Sequence, residues 1–596
     1  MISGICFNKL MAKTTIVTYL TYSELFNTFE KNGLVLLLSS LKTVEDFETQ
    51  IAYLLQEMNP VELVQFTSFL NMICQTRTTE MTMVRGVTFL EETKIVPKGT
   101  GFSNKIVFHR ENLLNLIGQI LTKNIQGTQQ LTGEGHSTNQ KKYCEAILLN
   151  NDLISVEVGN SEASSKETFL RDHFIREWPH YYLSDTARLV YGHRLVRYRY
   201  CYETLLSTLG NTDKATMEAG ICAFEKKAGI SLKEYMKVIN GLFAWFFEMP
   251  FQHAKNPPPP DQPKLGFDFM NISSFYIDAK LFKKDPSFIK AIDTLSKGAE
   301  ELRVSAVEES TRERDPITGY NKNIRVFFDN PIFKIEDGYY CVIDLKFLLE
   351  NVCGGLLWRI RNEENLQNFK SAYGRLMEEY FKFLIQNIFK DAKVTFGGTS
   401  GADAIVERGD KIFVIEFTTE YYRLSSLYNP TSQEFLDDAY RLLFNTGKTD
   451  PRARGKNDRG KLIKLNGYIK KVQSEGKTVI PVLVTENLLG NHDLFNAFNN
   501  FYDKEISDKK LTHLQQNPPL FLCLDDIETF WGLFEPDGAV EGFTGFTKYW
   551  IPLDKGPQFH NASSGICRFV EKQRGGEARI SNHDFADFFS PKQVFK

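Results

Sequence analysis

The stretch Ser400–Glu420, SGADAIVERGDKIFVIEFTTE, constrains the fold of this chain more than any other. Ile405–Val406 and Ile412–Ile415 are apolar runs of strand length, rich in β-branched and aromatic residues. The polar Arg408-Gly409-Asp410 between them has the chemistry of a tight turn. The segment predicts a β-hairpin with Asp403 on its first strand and Glu416 at the end of its second. Both lie at the polar edge of otherwise buried structure. Hard divalent cations take oxygen ligands, and Mg²⁺ commonly uses one or two protein carboxylates with substrate phosphate and water. Two carboxylates so placed suit a metal that polarises a phosphodiester and helps make hydroxide from water. Acids at the ends of exposed hairpin strands are more often simply solvated, so the hairpin alone does not decide the chemistry.

The order of the surrounding elements narrows the choice. Upstream, Phe369–Phe389 predicts an amphipathic helix with Leu376, Met377, Tyr380, Phe381, Phe383, Leu384 and Ile388 on its apolar face. Downstream, Gly460–Lys477 predicts a second, turning Leu462, Ile463, Leu465, Tyr468, Ile469 and Val472 inward. TVIPVLVTE (Thr478–Glu486) and PLFLCLDDIETF (Pro519–Phe530) read as strands, and continuous apolar runs suit strands covered on both faces.

Helix, strand, turn, strand, helix, strand, strand is similar to the core order of the PD-(D/E)XK, or restriction-endonuclease-like, nuclease family. GRLMEEY resembles the family's G-x-x-[apolar]-E-x-Y first helix, GADAIV its first ligand strand, VIEFT its second, and KLNGY its second-helix Q-L-x-x-Y pattern. The resemblance covers about Phe369 to Phe530. It implies Glu378 as an accessory acidic residue and Asp403 and Glu416 as ligands of Mg²⁺ or Mn²⁺. It adds the backbone carbonyl of Phe417 to the metal site. The implied activity is that of a metal-dependent endonuclease, on DNA rather than RNA.

One position departs from the pattern. The family's lysine two residues after the glutamate is Thr418 here, which supplies no positive charge. Either the core is catalytically inactive, or the charge comes from elsewhere. Lys464, at the Q position of the second-helix pattern, is the candidate, on a helix that also carries Lys461, Lys470 and Lys471.

Between hairpin and second helix lies the helical EFLDDAYRLLF and then NTGKTDPRARGKNDRGK, with Lys448, Arg452, Arg454, Lys456, Arg459 and Lys461 among Gly and Pro. A basic segment beside carboxylates suits a phosphate backbone, because each contact releases counterions. Arg452, Arg454, Lys456 and Arg459 are the candidate nucleic-acid contacts; a solvated surface loop is the plainer reading. Any such face is local, since Lys plus Arg number 71 against 74 Asp plus Glu.

Nine cysteines without a C-x-x-C pair, and histidines without H-E-x-x-H, indicate neither a zinc site nor a disulfide framework. There is no apolar run long enough for a membrane span, and MISGICFNKLMAK lacks the h-region of a signal peptide. The expectation is a reduced, cytoplasmic protein with no membrane partner.

The sequence predicts an α+β protein: a largely α-helical N-terminal region followed by an α/β restriction-endonuclease-like core with a mixed central sheet. The helical region spans 1–255, with a break near 124–142 where Gln, Gly and Thr predict an exposed loop. The proline-rich 256–264 reads as a stiff linker. Residues 265–355 connect to the core through a hairpin in Asn330–Val352, expected to add strands to the core's edge. The nuclease-like domain takes 356–535, and 536–596 forms a C-terminal extension.

Trp178–Tyr202 interleaves Arg188, His193, Arg194, Arg197 and Arg199 with Tyr191, Tyr198 and Tyr200. That pattern suits either stacking on nucleic acid or an inter-helix seam with buried arginine stems. The function read from the whole is metal-dependent phosphodiester hydrolysis, in the manner of a gated bacterial defence or mobile-element effector. The alternative is a catalytically inactive nuclease-fold subunit that binds nucleic acid or a protein. The helical region offers a surface for a homo-oligomer or a protein partner.

Overall fold

In the computed structural model of the chain, residues gather into two units that do not follow its linear order. Gly192–Gly220 cluster with Asn365–Lys596, and Tyr22–Tyr191 with Ile221–Glu364. The described residues are 43–76, 89–95, 107–108, 110–131, 136–160, 183–255, 276–279, 285–310, 325–336, 338–363, 368–397, 401–419, 432–446, 459–472, 476–486, 495–551, 562–575 and 580–589. The proline-rich 256–264 lies outside them. Among them, no helix is long and apolar enough to cross a membrane.

The unit containing 221–364 is mainly helical, as its 3.6-residue periodicity predicts. Val44–Leu55 starts with a reciprocal capping box between Thr43 and Asp46, and Pro60–Thr76 follows. The loop expected at 124–142 is mostly exposed over its described residues 124–131, and it is pinned to the neighbouring chain. Gln129 exchanges backbone hydrogen bonds with Glu57 and Asn59, Leu131 is buried, and the helix Ser137–Asn160 begins inside the segment.

Hairpin strands Ile332–Glu336 and Tyr339–Val342 form as predicted, with Gly338 at φ +80 in the turn. They do not extend the five-stranded sheet of the core, contrary to expectation. Their outer edges are taken by Tyr276–Asp278 and Ser296–Lys297, which completes a separate four-stranded sheet. Asp344 caps the helix Leu345–Glu350 and accepts from both Nε and Nη2 of Arg110 (2.7 and 2.9 Å), so this buried charge is paired.

The other unit is built on a five-stranded mixed sheet, in agreement with the α+β expectation. Its elements in chain order are α1 (Leu183–Glu203, within this unit from Gly192), α2 (Phe369–Ile388), β1 (Lys393–Phe396), β2 (Ala404–Arg408) and β3 (Lys411–Thr418). There follow α3 (Ser432–Leu443), α4 (Lys461–Val472), β4 (Thr478–Thr485), α5 (Phe495–Asp508), β5 (Leu520–Cys523), α6 (Leu524–Leu533) and α7 (Ala539–Trp550). The strands lie in sequence order, with β1–β2–β3 antiparallel and β3–β4–β5 parallel. Gly409, at φ +59, occupies the first position of the two-residue β2–β3 turn.

Period-two alternation along β3 assigns its side chains to opposite faces. Ile412 and Val414 join a core with Phe435, Leu462, Leu465 and Ile469, from α3 and α4. Phe413 packs edge-on against Phe543 of α7, and Phe417 stacks on Phe381 of α2 at 4.8 Å. The sheet is thus covered on both sides, as its unbroken apolar strands require.

Two local differences from the sequence expectation stand out. Lys393–Phe396 adds an edge strand that its short, polar-flanked sequence did not announce. The second apolar run stops being a strand at Cys523, because Asp526 turns back to accept from the Cys523 N–H at 2.8 Å and starts α6.

The arginine and tyrosine stretch of α1 is an internal seam among the described residues. Arg197 donates to Glu528 Oε1 at 2.7 Å and to Asp525, and Arg194 also grips Asp525. Tyr380 donates to Glu528 at 2.6 Å, while Tyr198 and Tyr373 both donate to Glu486. Against burial, which lowers it, Glu528 and Asp525 hold the Arg197 guanidinium well above its ordinary pKa.

Candidate functional site

Strand register places the two acids. β2 and β3 pair Ala404 with Ile415, so one further step sets Asp403 opposite Glu416 at the end of the hairpin. Alternation then turns Glu416 to the same side as Ile412 and Val414, the side covered by α4. Asp403 Oδ2 accepts from the Phe417 backbone N–H at 2.7 Å, which ties the end of the first strand to the second.

The positive charge beside this pair comes from Lys461, the first residue of α4. Its Nζ lies 3.1 Å from Glu416 Oε1 and 3.3 Å from the Phe417 carbonyl oxygen. Lys464, one turn on, makes no direct contact with Glu416 but contributes as a further positive charge that lowers the Glu416 pKa. Position 418 is buried, two residues beyond Glu416 on the same face of β3, and its carbonyl accepts from the Glu486 N–H at 3.1 Å. The positive charge beside Glu416 therefore comes from the start of α4 and not from position 418.

Burial governs the titration of the site. It drives the Glu416 carboxyl up to about 7, partly offset by Lys461 and reinforced by Asp403. Burial also raises Glu378 on α2, with the Asp403 charge adding to it and Lys382 and Lys461 opposing it. Tyr468 on α4 is raised by burial and then by Glu416 and Asp403, which puts its phenol within the field of the same carboxylates. Glu378, Asp403, Glu416, Phe417 and Lys464 thus converge on one region, together with Lys461 and Tyr468. The sequence held Lys461 only as one basic residue among several, and Tyr468 only as part of a helix pattern.

The oxygen set fits a hard divalent cation. Glu416 Oε2 is buried and accepts no hydrogen bond among the described residues, which leaves a costly orphan acceptor facing inward. Glu416 Oε1 and the Phe417 carbonyl already share one cation, the Lys461 ammonium. Among the described residues no three His, Cys, Asp or Glu side chains cluster as a complete metal set. A metal here would rely on Asp403, Glu416 and the Phe417 carbonyl, leaving positions for water and phosphate, which is the usual habit of Mg²⁺.

Of the four candidate nucleic-acid contacts, Arg452, Arg454 and Lys456 lie outside the described residues, and Arg459 is exposed. The base of their segment is fixed. Gly460 N–H donates to the Asn445 carbonyl at 2.6 Å, and a Cβ at Gly460 would lie 2.4 Å from the Leu443 backbone. Only glycine allows that approach, and it returns the chain to the end of α3 one residue before Lys461. The chain on the two sides of the basic segment is thereby held together at Asn445 and Gly460.

No family model, curated protein or solved structure matches the chain, so its function is argued from these residues and their geometry.

Proposed function

We propose that this protein is a metal-dependent nuclease that hydrolyses phosphodiester bonds, most readily those of DNA, at the Asp403–Glu416 site. The observation that carries the reading is the juxtaposition of Glu416 Oε1, the Phe417 carbonyl and the Lys461 ammonium beside Asp403. Asp403 and Glu416 would hold Mg²⁺ or Mn²⁺ with the Phe417 carbonyl. Bound there, the cation supplies Lewis acidity towards the phosphate and lowers the pKa of the attacking water.

The chain's own groups have distinct tasks. Lys461 offers the charge that offsets the extra negative charge developing on the phosphate, a role in which one fixed donor is worth about 10²–10³ in rate. Lys464 adds field from one turn away. Glu378 orients water or a second cation on the α2 side. Arg452, Arg454, Lys456 and Arg459 would hold the backbone from the segment anchored by Gly460.

Thr418 in place of the usual lysine favours a second reading, a nuclease-fold subunit that binds nucleic acid without cutting it. A cleavage assay separates the two. Purified full chain is incubated with plasmid, linear duplex, single-stranded DNA and RNA, each with Mg²⁺, Mn²⁺ or EDTA, alongside Glu416→Gln. Metal-dependent cutting that Glu416→Gln abolishes is the expected result. Retention of nucleic-acid binding with no cutting under any metal would favour the binding subunit.

A further inference from the structure

We propose that Lys461 is the resident counter-ion of the site and must leave Glu416 and Phe417 for a divalent cation to enter. The inference rests on the metal-centre reading above and adds a gate to it.

Two of the three groups assigned to the metal, Glu416 and the Phe417 carbonyl, are the two that Lys461 Nζ contacts, at 3.1 Å from Glu416 Oε1 and 3.3 Å from the carbonyl oxygen. The contact is sheltered, with the side chains 15 % exposed on Lys461 and 3 % on Glu416. A dication and an ammonium drawn to the same carboxylate and carbonyl repel one another, the more so as the local dielectric falls, so the proposal has the ammonium driven off as the cation settles.

Lys461 is built to move. It opens α4, so no preceding helical turn hems its side chain, and its four-carbon stem lets a compact charge swing without disturbing the backbone. Glu416 has no such freedom, since it is held on a central strand between β2 and β4. Displacement would carry the ammonium from the carboxylate towards the phosphate that arrives with the metal. Metal entry and delivery of the catalytic charge become one event, and the metal-free site stays neutralised. The metal cation and the lysine ammonium then compete for the same oxygen ligands, so removing the ammonium should tighten metal binding.

Calorimetric titration of the full chain with MnCl₂ tests this, using wild type, Lys461→Met, Lys461→Gln, Lys461→Arg and Asp403→Asn, each checked for folding by its thermal melt. Met and Gln remove the charge and are expected to bind Mn²⁺ at least about tenfold more tightly than wild type, at the same stoichiometry. Arg keeps the charge and is expected to stay near wild type. If wild-type binding is lost in Asp403→Asn while Met and Gln bind no tighter than wild type, the gate is wrong and the metal centre stands. If Mn²⁺ binding is unchanged by Asp403→Asn, or none of the folded proteins binds it, the metal-centre reading itself fails and takes the gate with it.

Discussion

Lys461 Nζ stands 3.1 Å from Glu416 Oε1, although 45 residues separate them in the chain. A β-strand brings one to the site and a helix start brings the other. The separation is bridged by α3 and by the close packing of Gly460 on the Leu443 backbone. A positive charge thus stands beside Glu416 without one at position 418, so Thr418 does not by itself argue against the proposed nuclease.

Replacing Lys461 should move two readouts in opposite directions. In Lys461→Met, single-turnover cleavage at saturating Mn²⁺ is expected to fall about 10²–10³-fold, the usual loss for one transition-state donor. Metal affinity is expected to rise in the same protein. Lys464→Met should reduce cleavage less, because Lys464 acts on Glu416 only through its field. Equal losses in the two variants would show that neither lysine has the special position assigned to Lys461.

Asp403 has a structural as well as a chemical task. Asp403→Ala leaves the Phe417 N–H without its carboxylate acceptor, and a buried donor so orphaned costs about 1–3 kcal/mol. Urea unfolding should show that loss together with the disappearance of metal-dependent stabilisation. Full retention of stability would mean that the hairpin end is not fastened as described.

Glu416 makes stability pH-dependent in a defined direction. Its carboxyl is raised by burial from the ordinary 4.5 to about 7, so the folded state holds this proton more tightly than the unfolded chain. The associated stability is fully present below about pH 4.5 and lost as pH rises through about 7. Glu416→Gln should therefore melt close to wild type at pH 4.5 and higher than wild type at pH 8, in metal-free buffer. The difference is on the order of 3 kcal/mol. A gap of equal size at both pH values would place the effect outside this carboxyl.

Arg197 shows how the seam behind the sheet behaves. It is fully buried and binds both Asp525 and Glu528, so Arg197→Met takes the guanidinium from Glu528, which keeps the Tyr380 hydroxyl, and leaves Asp525 to Arg194. Removal of one partner from such a cluster typically costs about 3–5 kcal/mol. Chemical denaturation at neutral pH should register that loss. A change below about 1 kcal/mol would indicate that water reaches these groups.

The parts of the fold legible in the sequence are those set by local pattern. The hairpin around Gly409 and β4 follow from apolar runs of strand length, and α2 and α4 from 3.6-residue spacing. β1 was missed because four residues, KVTF, carry too little pattern. β5 was overextended because the cap formed by Asp526 looks, in sequence, like one more polar residue.

In the site, Asp403 and Glu416 could be paired from the hairpin register, whereas the choice of Lys461 over Lys464 depends on where α4 starts relative to Glu416. That is fixed by the tertiary approach of Gly460 to α3. The seam partners of Arg194 and Arg197 were invisible for a similar reason, lying more than 300 residues away at Asp525 and Glu528.

The measurement that bears most directly on the central claim is anomalous diffraction from crystals of the full chain soaked in Mn²⁺. The account predicts a peak bonded to Asp403, Glu416 and the Phe417 carbonyl at about 2.0–2.6 Å, the range of hard-cation oxygen contacts. It also predicts that the Lys461 ammonium has withdrawn from Glu416. Ordered density for Asp403 and Glu416 with no peak between them, and Lys461 still bound to Glu416 in excess Mn²⁺, would contradict it.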